Sequence, residues 1–283
     1  MSFRTTLTWA AAFAAAPGIA ACSFDGRGLL AAGDDDPADA RVADAEPDPD
    51  AAEAPIDAPP AVDASVPDPA GTLRAAFTSQ GVVLDGFADE WPTDGWATFD
   101  MAEAANYDQN NPTYQPSAQA HFAALHDGAY LYLFIEVTDD ALRSDSTELW
   151  NDDSVDIYLD AEDDGAGSYG ADDQWVIVRN DATFGDYPVD DINLEGFVRT
   201  AGDGGGYAME LRIDKWSLSA GALGAELGFD LAINDDDGHG GADYDGDGLW
   251  YAASAPVCPQ CCTSGSSEAW CDTSLFGRLL LEP

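Results

Sequence analysis

From Thr72 onward, apolar and polar residues alternate in short runs. In "DSVDIYLD" (153–160), Val155, Ile157 and Leu159 take every second position, with Ser154, Asp156, Tyr158 and Asp160 between them. Side chains alternate faces along a strand, so the spacing predicts one apolar face and one polar, wet face. Comparable runs are "VVLDG" (82–86), "AQAHFAAL" (118–125), "AYLYLFIEVT" (129–138), "QWVIVRN" (174–180), "GYAMELRI" (206–213), "LGFDLAIND" (227–235), "LWYAAS" (249–254) and "FGRLLLEP" (276–283). Gly, Asp and Asn punctuate them. "DKWSLSAGAL" (214–223) is the helix-like piece of note, one or two turns long. Many short strands with turn signals predict an all-β fold over residues 72–283, a jelly-roll-like β-sandwich of two antiparallel sheets.

The first 71 residues depart from this pattern. Residues 1–22 read as a targeting segment: Arg4, then an apolar run from Thr5 to Ala16 too short to span a bilayer, then "IAAC" ending at Cys22. This resembles the bacterial lipoprotein signal, in which that cysteine is lipidated and becomes the new N-terminus. The alternative is an ordinary signal peptide cut elsewhere, leaving Cys22 free. Ser23 stands where an Asp would resemble the inner-membrane retention signal. The resemblance therefore implies a lipid-anchored protein of the outer membrane or surface of a Gram-negative cell. Residues 23–71 form an Ala/Pro/Asp-rich linker, and residues 33–70 alone hold eight of the 16 prolines, twelve acids and one Arg. Such a segment cannot bury a core and its like charges repel, so it predicts a disordered tether with a reach of roughly 100 Å.

Charge narrows the partners. The chain carries 54 acidic and 10 basic residues, a net −44. That field repels nucleic acid and anionic lipid, which excludes a nucleic-acid partner and leaves the N-terminal anchor as the membrane contact. Cations and neutral ligands suit it. Close carboxylates need solvation or a bridging cation, and hard oxygen donors point to calcium. In "DYDGDG" (243–248), Asp243, Asp245 and Asp247 can converge around a glycine-permitted turn. Ser254 at the twelfth position, where an EF-hand needs Glu, excludes that motif. "DAEDDG" (160–165) offers Asp160, Glu162 and Asp164 in a weaker version. A solvated acidic turn is the other reading of each. Cys258, Cys261, Cys262 and Cys271 crowd one loop, which outside the cytoplasm predicts two disulfides, with zinc as the alternative. Three pairings are open, and the one joining adjacent Cys261 and Cys262 is strained.

Five phrases, in order, resemble the family 9 carbohydrate-binding modules: "LDGFADEWP" (84–92), "AYLYLFIEVTDD" (129–140), "LWNDDSVDIYLD" (149–160), "GGYAMELRIDKWSL" (205–218) and "FDLAINDDDG" (229–238), with "FGRLLLEP" closing the set. The resemblance covers about 200 residues and implies a β-sandwich without catalysis of its own, serving glycan capture beside separate glycan-degrading enzymes. In that family two Trp rings clamp a terminal sugar while polar groups grip its hydroxyls. Carried over, Trp150 is one clamp ring, and Asp156 stands where the family has Glu. Arg179 is the hydrogen-bonding Arg and Trp250 the second ring. Asp247, three residues before Trp250, stands where the family carries Asn, and the calcium reading also claims it. Trp91, Trp175 and Trp216 read as core or strand support, and His121, His126 and His239 as surface or loop.

Two other functions compete with this reading. A glycoside hydrolase needs two carboxylates flanking one bond, and with 41 acids after residue 71 such pairs prove nothing. No nucleophile motif, phosphate loop or His-rich metal site is present in the sequence. A calcium-stabilised adhesin without a sugar site is the other. A haem site would need paired His and Met ligands, and Met101, Met209 and His121 form no pattern for it.

Overall fold

The computed structural model describes residues 2–3, 70–103, 106–109, 115–187, 192–201, 205–218, 223–238, 245–251 and 269–283. Its strands are β1 (Ser2–Phe3), β2 (Thr72–Phe77), β3 (Ala97–Asp100), β4 (Asn106–Gln109), β5 (Gln119–His126), β6 (Tyr130–Thr138), β7 (Ser154–Asp160), β8 (Asp173–Arg179), β9 (Phe184–Tyr187), β10 (Leu194–Thr200), β11 (Tyr207–Asp214), β12 (Glu226–Asp235), β13 (Gly246–Leu249) and β14 (Gly277–Leu281). One four-residue helix, α1 (Lys215–Leu218), follows β11. The all-β expectation holds.

Hydrogen bonding runs in the order β1-β10-β11-β6-β5-β2-β14-β12-β7-β8-β9, with β3 on β5, and with β13 between β12 and β4. The two predicted antiparallel layers are thus joined. β2 pairs in parallel with β5 on one side and β14 on the other. The layers close on each other through their inward residues. Leu133, Ile135, Met209 and Leu211 lie on one side, and Ile157, Leu159, Phe229 and Leu231 on the other, all within one buried cluster. Phe122 of β5 meets Phe229 of β12 at 6.4 Å between ring centres. Each such side chain contributes about 1.5–3 kcal/mol of hydrophobic stabilisation.

"VVLDG" is not a strand. Its backbone bonds go to side chains instead of a neighbouring strand. Val83 N–H donates to Glu90 at 2.8 Å, and the Asp85 and Gly86 N–H groups donate to Glu210 at 2.7 and 2.6 Å. The indole N–H of Trp91 donates to the other Glu210 oxygen at 2.8 Å. Glu210 thereby clips the whole loop onto the outer face of β5, β6 and β11, where Trp91 packs with Leu125, Tyr132 and Phe134. Gly86 has φ +79°, and a Cβ there would meet the Arg199 Cβ at 2.9 Å, so only glycine fits under the clip. Trp91 is core, as its sequence context suggests. Trp216 is not: it is 68% exposed on α1. His126 is also buried, against the surface reading, with Nε2 2.6 Å from the Glu282 carbonyl and Nδ1 3.0 Å from the Lys215 ammonium.

Candidate functional site

β7 lies between β12 and β8, and its Val155, Ile157 and Leu159 face the core. The opposite face is not the wet one that alternation predicts. Ser154, Asp156, Tyr158 and Asp160 are all buried as well. Neighbours cover them. Tyr158 packs with Ala232, Leu249 and Ala269, and with the half-buried Tyr169, Trp175 and Phe276.

Asp156 is the polar centre of this face and is 4% exposed. The Tyr158 hydroxyl donates to one oxygen at 3.0 Å, and the Asn234 amide donates to the other at 3.1 Å. The same amide nitrogen also donates to Ser154 Oγ at 3.0 Å, which fixes the orientation of the group. Burial pushes the Asp156 carboxyl up to about 7, against the lowering pull of Tyr158, Trp175 and Asn234.

Trp150 sits in the one-turn 3-10 helix Leu149–Asn151 that leads into β7. Its ring is 43% exposed and lies 6.4 Å from Trp175. Arg179 and Asp152 anchor the turn. Asp152 accepts the N–H groups of Asp145 and Ser146 at 2.9 Å each, and Arg179 Nη1 at 2.6 Å. Every nitrogen of the Arg179 guanidinium has a protein acceptor: Asp181 for Nε and Nη2 at 3.1 and 2.8 Å, Ser146 O and Asp152 for Nη1, and Thr183 Oγ1 for Nη2. Where the resemblance implies contact with a sugar, the structure shows Arg179 holding the Trp150 turn.

Trp250 does not share a face with Trp150. Leu249 points outward to Tyr158 and Ala232. Trp250, one residue on, therefore points inward, and its N–H donates to Leu231 O at 2.8 Å to continue the ladder. Its ring meets Phe122 at 5.2 Å and 86°, and Phe229 at 6.0 Å and 65°. The two-ring clamp implied by the resemblance is not formed by this pair. The half-buried Trp250 borders a cavity of about 490 Å³ lined also by Asp100, Glu103, Gln119, His121 and Glu136.

The rings that do gather on the outer face were assigned by sequence to structural support or left unassigned. Trp175 stacks on Tyr158 at 6.0 Å and 24°, and meets Tyr187 edge-on at 6.0 Å and 68°. Tyr187 in turn lies 6.0 Å from Tyr169. The signal for Trp175 was present in the alternation of "QWVIVRN": Val176 and Val178 face the core, so Trp175 must face away.

The acidic residues regroup. Among the described residues, three sets bring carboxylate oxygens within 4.8 Å of one another: Asp139, Asp235 and Asp237; Asp145, Asp152 and Asp236; Asp160, Asp164 and Asp172. Asp160 and Asp164 lie together, with Asp172 rather than the exposed Glu162 as the third member. Asp245 is buried and accepts the Asp237 N–H at 3.0 Å. Asp247 lies opposite Asn234 across the β12–β13 ladder. Neither enters a set, and Asp243 lies outside the described residues. Of the four clustered cysteines only Cys271, which is buried, is described; the expected pairing and the Cys22 site fall on residues outside the description.

Comparison with known proteins places this geometry. Residues 84–283 match the family described as carbohydrate family 9 binding domain-like. Exoglucanase XynX of Acetivibrio thermocellus is 34% identical over 167 residues, which are 58% of this chain and 14% of that protein. Endo-1,4-beta-xylanase A of Thermoanaerobacterium saccharolyticum is 34% identical over 158 residues, 55% of this chain and 12% of that enzyme. The chain therefore spans only a small part of these relatives' length. Among solved structures, a family 9 carbohydrate-binding module from Caldicellulosiruptor kristjanssonii in complex with cellotriose superposes with TM-score 0.58 at 24% identity, covering 75% of this chain and 93% of that one. The same module in complex with glucose gives TM-score 0.58 and 24% identity, covering 75% and 95%.

Proposed function

The chain belongs to the carbohydrate family 9 binding domain-like family, and from that premise we propose that it binds neutral carbohydrate on the outer face of β7 and β8 without transforming it. The observation that carries this reading is the exposed Trp150 ring, held beside Trp175, which itself stacks on Tyr158. A sugar ring presents C–H groups to an aromatic face, and the exposed Trp150 ring offers such a face. The cellotriose and glucose held by the structural neighbours support glucose-like or β-linked sugars as ligands. The match covers 14% of XynX, which supports reading these residues as a binding unit that serves glycan degradation. The tether and the Cys22 signal, as read from sequence, would hold it at the cell envelope.

Calorimetry with glucose and cellotriose tests the site. Trp150→Ala should lower affinity at least about tenfold, the equivalent of about 1.4 kcal/mol, while the melting temperature stays near wild type. Equal affinity in the variant would remove Trp150 from the site. Turnover of a polysaccharide by the pure protein would overturn the non-catalytic part.

We also propose that calcium binds at Asp160, Asp164 and Asp172. The adjoining Asp173 is buried, and its Oδ1 has no hydrogen-bond partner, as expected of an oxygen reserved for a cation. Calcium there would join the β7–β8 connection to itself and would take no part in sugar contact.

A further inference from the structure

His126 ends β5 and joins it to two other parts of the domain. The residue is 8% exposed. Its Nε2 lies 2.6 Å from the carbonyl oxygen of Glu282, just past β14, and its Nδ1 lies 3.0 Å from Nζ of Lys215 on α1. Phe77 of β2 closes on the ring edge-on, at 5.6 Å and 78°. Lys215 is the only lysine in the chain. Its ammonium also donates to the Asp127 carbonyl at 2.7 Å, and its backbone N–H donates to Ala129 O at 3.0 Å. On the other side, the Glu282 N–H donates to Ala75 O at 2.9 Å.

Both partners of the ring demand the same form of imidazole. A carbonyl oxygen only accepts, so Nε2 carries the N–H. An ammonium only donates, so Nδ1 offers its lone pair. The ring is therefore neutral. A second proton, on Nδ1, would set donor against donor and cation against cation across the 3.0 Å to Lys215. The neighbouring carboxylates are turned elsewhere. Asp127 accepts the Ala129 and Tyr130 N–H groups and the Tyr132 hydroxyl, each at 2.7 Å. The Glu282 carboxylate pairs with Arg74 at 3.0 Å. Burial also pushes the Lys215 ammonium down from its ordinary value, against the pull of Asp127. We propose that His126 is an acid-operated latch. Neutral, it ties α1 to β5 and to the residues after β14. Protonated, it lets go of Lys215 and loosens α1 from the turn at Asp127 and Ala129. Imidazoles change charge between about pH 5 and 8, so the latch works in that range. It stands apart from the sugar face and does not depend on that reading.

Amide exchange on the intact protein at about pH 7.5 and about pH 5 tests this, expressed as protection relative to a free peptide at the same pH. The Lys215 amide should lose protection about tenfold or more at the lower pH, while Leu133 within β6 keeps its own. A local readout is needed because Asp156 and Asp173, each pushed up to about 7 by burial, titrate in the same range and would mix into a global melt. In His126→Gln, the amide can donate to Glu282 and accept from Lys215 without titrating. Protection at Lys215 should then be the same at both pH values. Nitrogen-15 spectra of the wild-type ring should show the neutral Nε2–H form at the higher pH. An Nδ1–H tautomer or a charged ring there would overturn the latch. So would wild-type protection at Lys215 that ignores pH, or the same acid loss in a folded His126→Gln protein. If the Gln variant does not fold, the wild-type tautomer and exchange decide the matter alone.

Discussion

Asp156 carries its carboxyl in a place where charge is disfavoured. Its folded-state value is raised to about 7 by burial, from an ordinary value near 3.8. A raised carboxyl favours the protonated folded state, so its contribution to stability is fully present below about 3.8 and is lost as pH rises through about 7. Asp156→Asn should therefore raise the melting temperature at pH 8 and change it little at pH 4. The gain is bounded by about 1.4 kcal/mol per pH unit across that window. Thermal melts of both proteins at the two pH values check this, and equal effects at both would remove the titration argument. The residue type at position 156 was legible in sequence, but its burial was not. Alternation says which face a side chain takes, and it cannot say that Trp175, Asn234 and Phe276 will roof that face. Trp150 was placed by the phrase around it. Trp250 was misplaced because it sits in "LWY", an apolar run with no alternation to fix its phase. Arg179 was read as a sugar ligand because a sequence does not show that Asp152 and Asp181 already take its N–H groups.

At the scale of elements, two of the phrases that made the sequence recognisable prove to be one contact. "LDGFADEWP" supplies the Asp85 and Gly86 N–H groups and the Trp91 indole, and "GYAMELRI" supplies Glu210, which accepts all three. The resemblance therefore identified a fold-holding clip more directly than a ligand site. Glu210→Ala would leave those three donors without an acceptor in a closed setting. It should cost about 2–4 kcal/mol in chemical denaturation and speed amide exchange at Asp85 and Gly86, with Glu210→Gln retaining part of the loss. Wild-type exchange at those two amides in the Ala variant would contradict the clip. "VVLDG" looked like a strand because its apolar residues resemble one, and only the distant Glu210 shows why it is a loop. β5, β6, β7, β8, β11, β12 and β14 were legible from their apolar runs. β2, β3, β4, β9, β10 and β13 were not, because four to seven residues with polar interruptions carry a weak signal.

The described residues build an apolar sandwich from a strongly acidic sequence. Several carboxylates are inside it: Asp153 is pushed up to about 9, by burial first and then by neighbouring Asp139. A cation held by such groups relieves both burial and repulsion. If calcium occupies the Asp160–Asp164–Asp172 set, EGTA should lower the melting temperature by roughly 5 °C, and added calcium should restore it. An unchanged melt would exclude a stabilising role for calcium. Composition made the acid surplus plain, but the partners in each set come from separate loops, and spacing along the chain found only Asp160 and Asp164.

The parallel strand β2 also governs time. It is the seam between the layers, and its second edge is supplied by β14, so that Leu73 pairs with Leu279 across nearly the full length of the domain. Pairings between such distant residues require closing a long loop before any bond repays it, and they form late. Until β14 arrives, β2 and β12 each present an open edge able to pair with another chain. The interval between synthesis of β2 and docking of β14 is then the period in which this molecule is most exposed to misassembly.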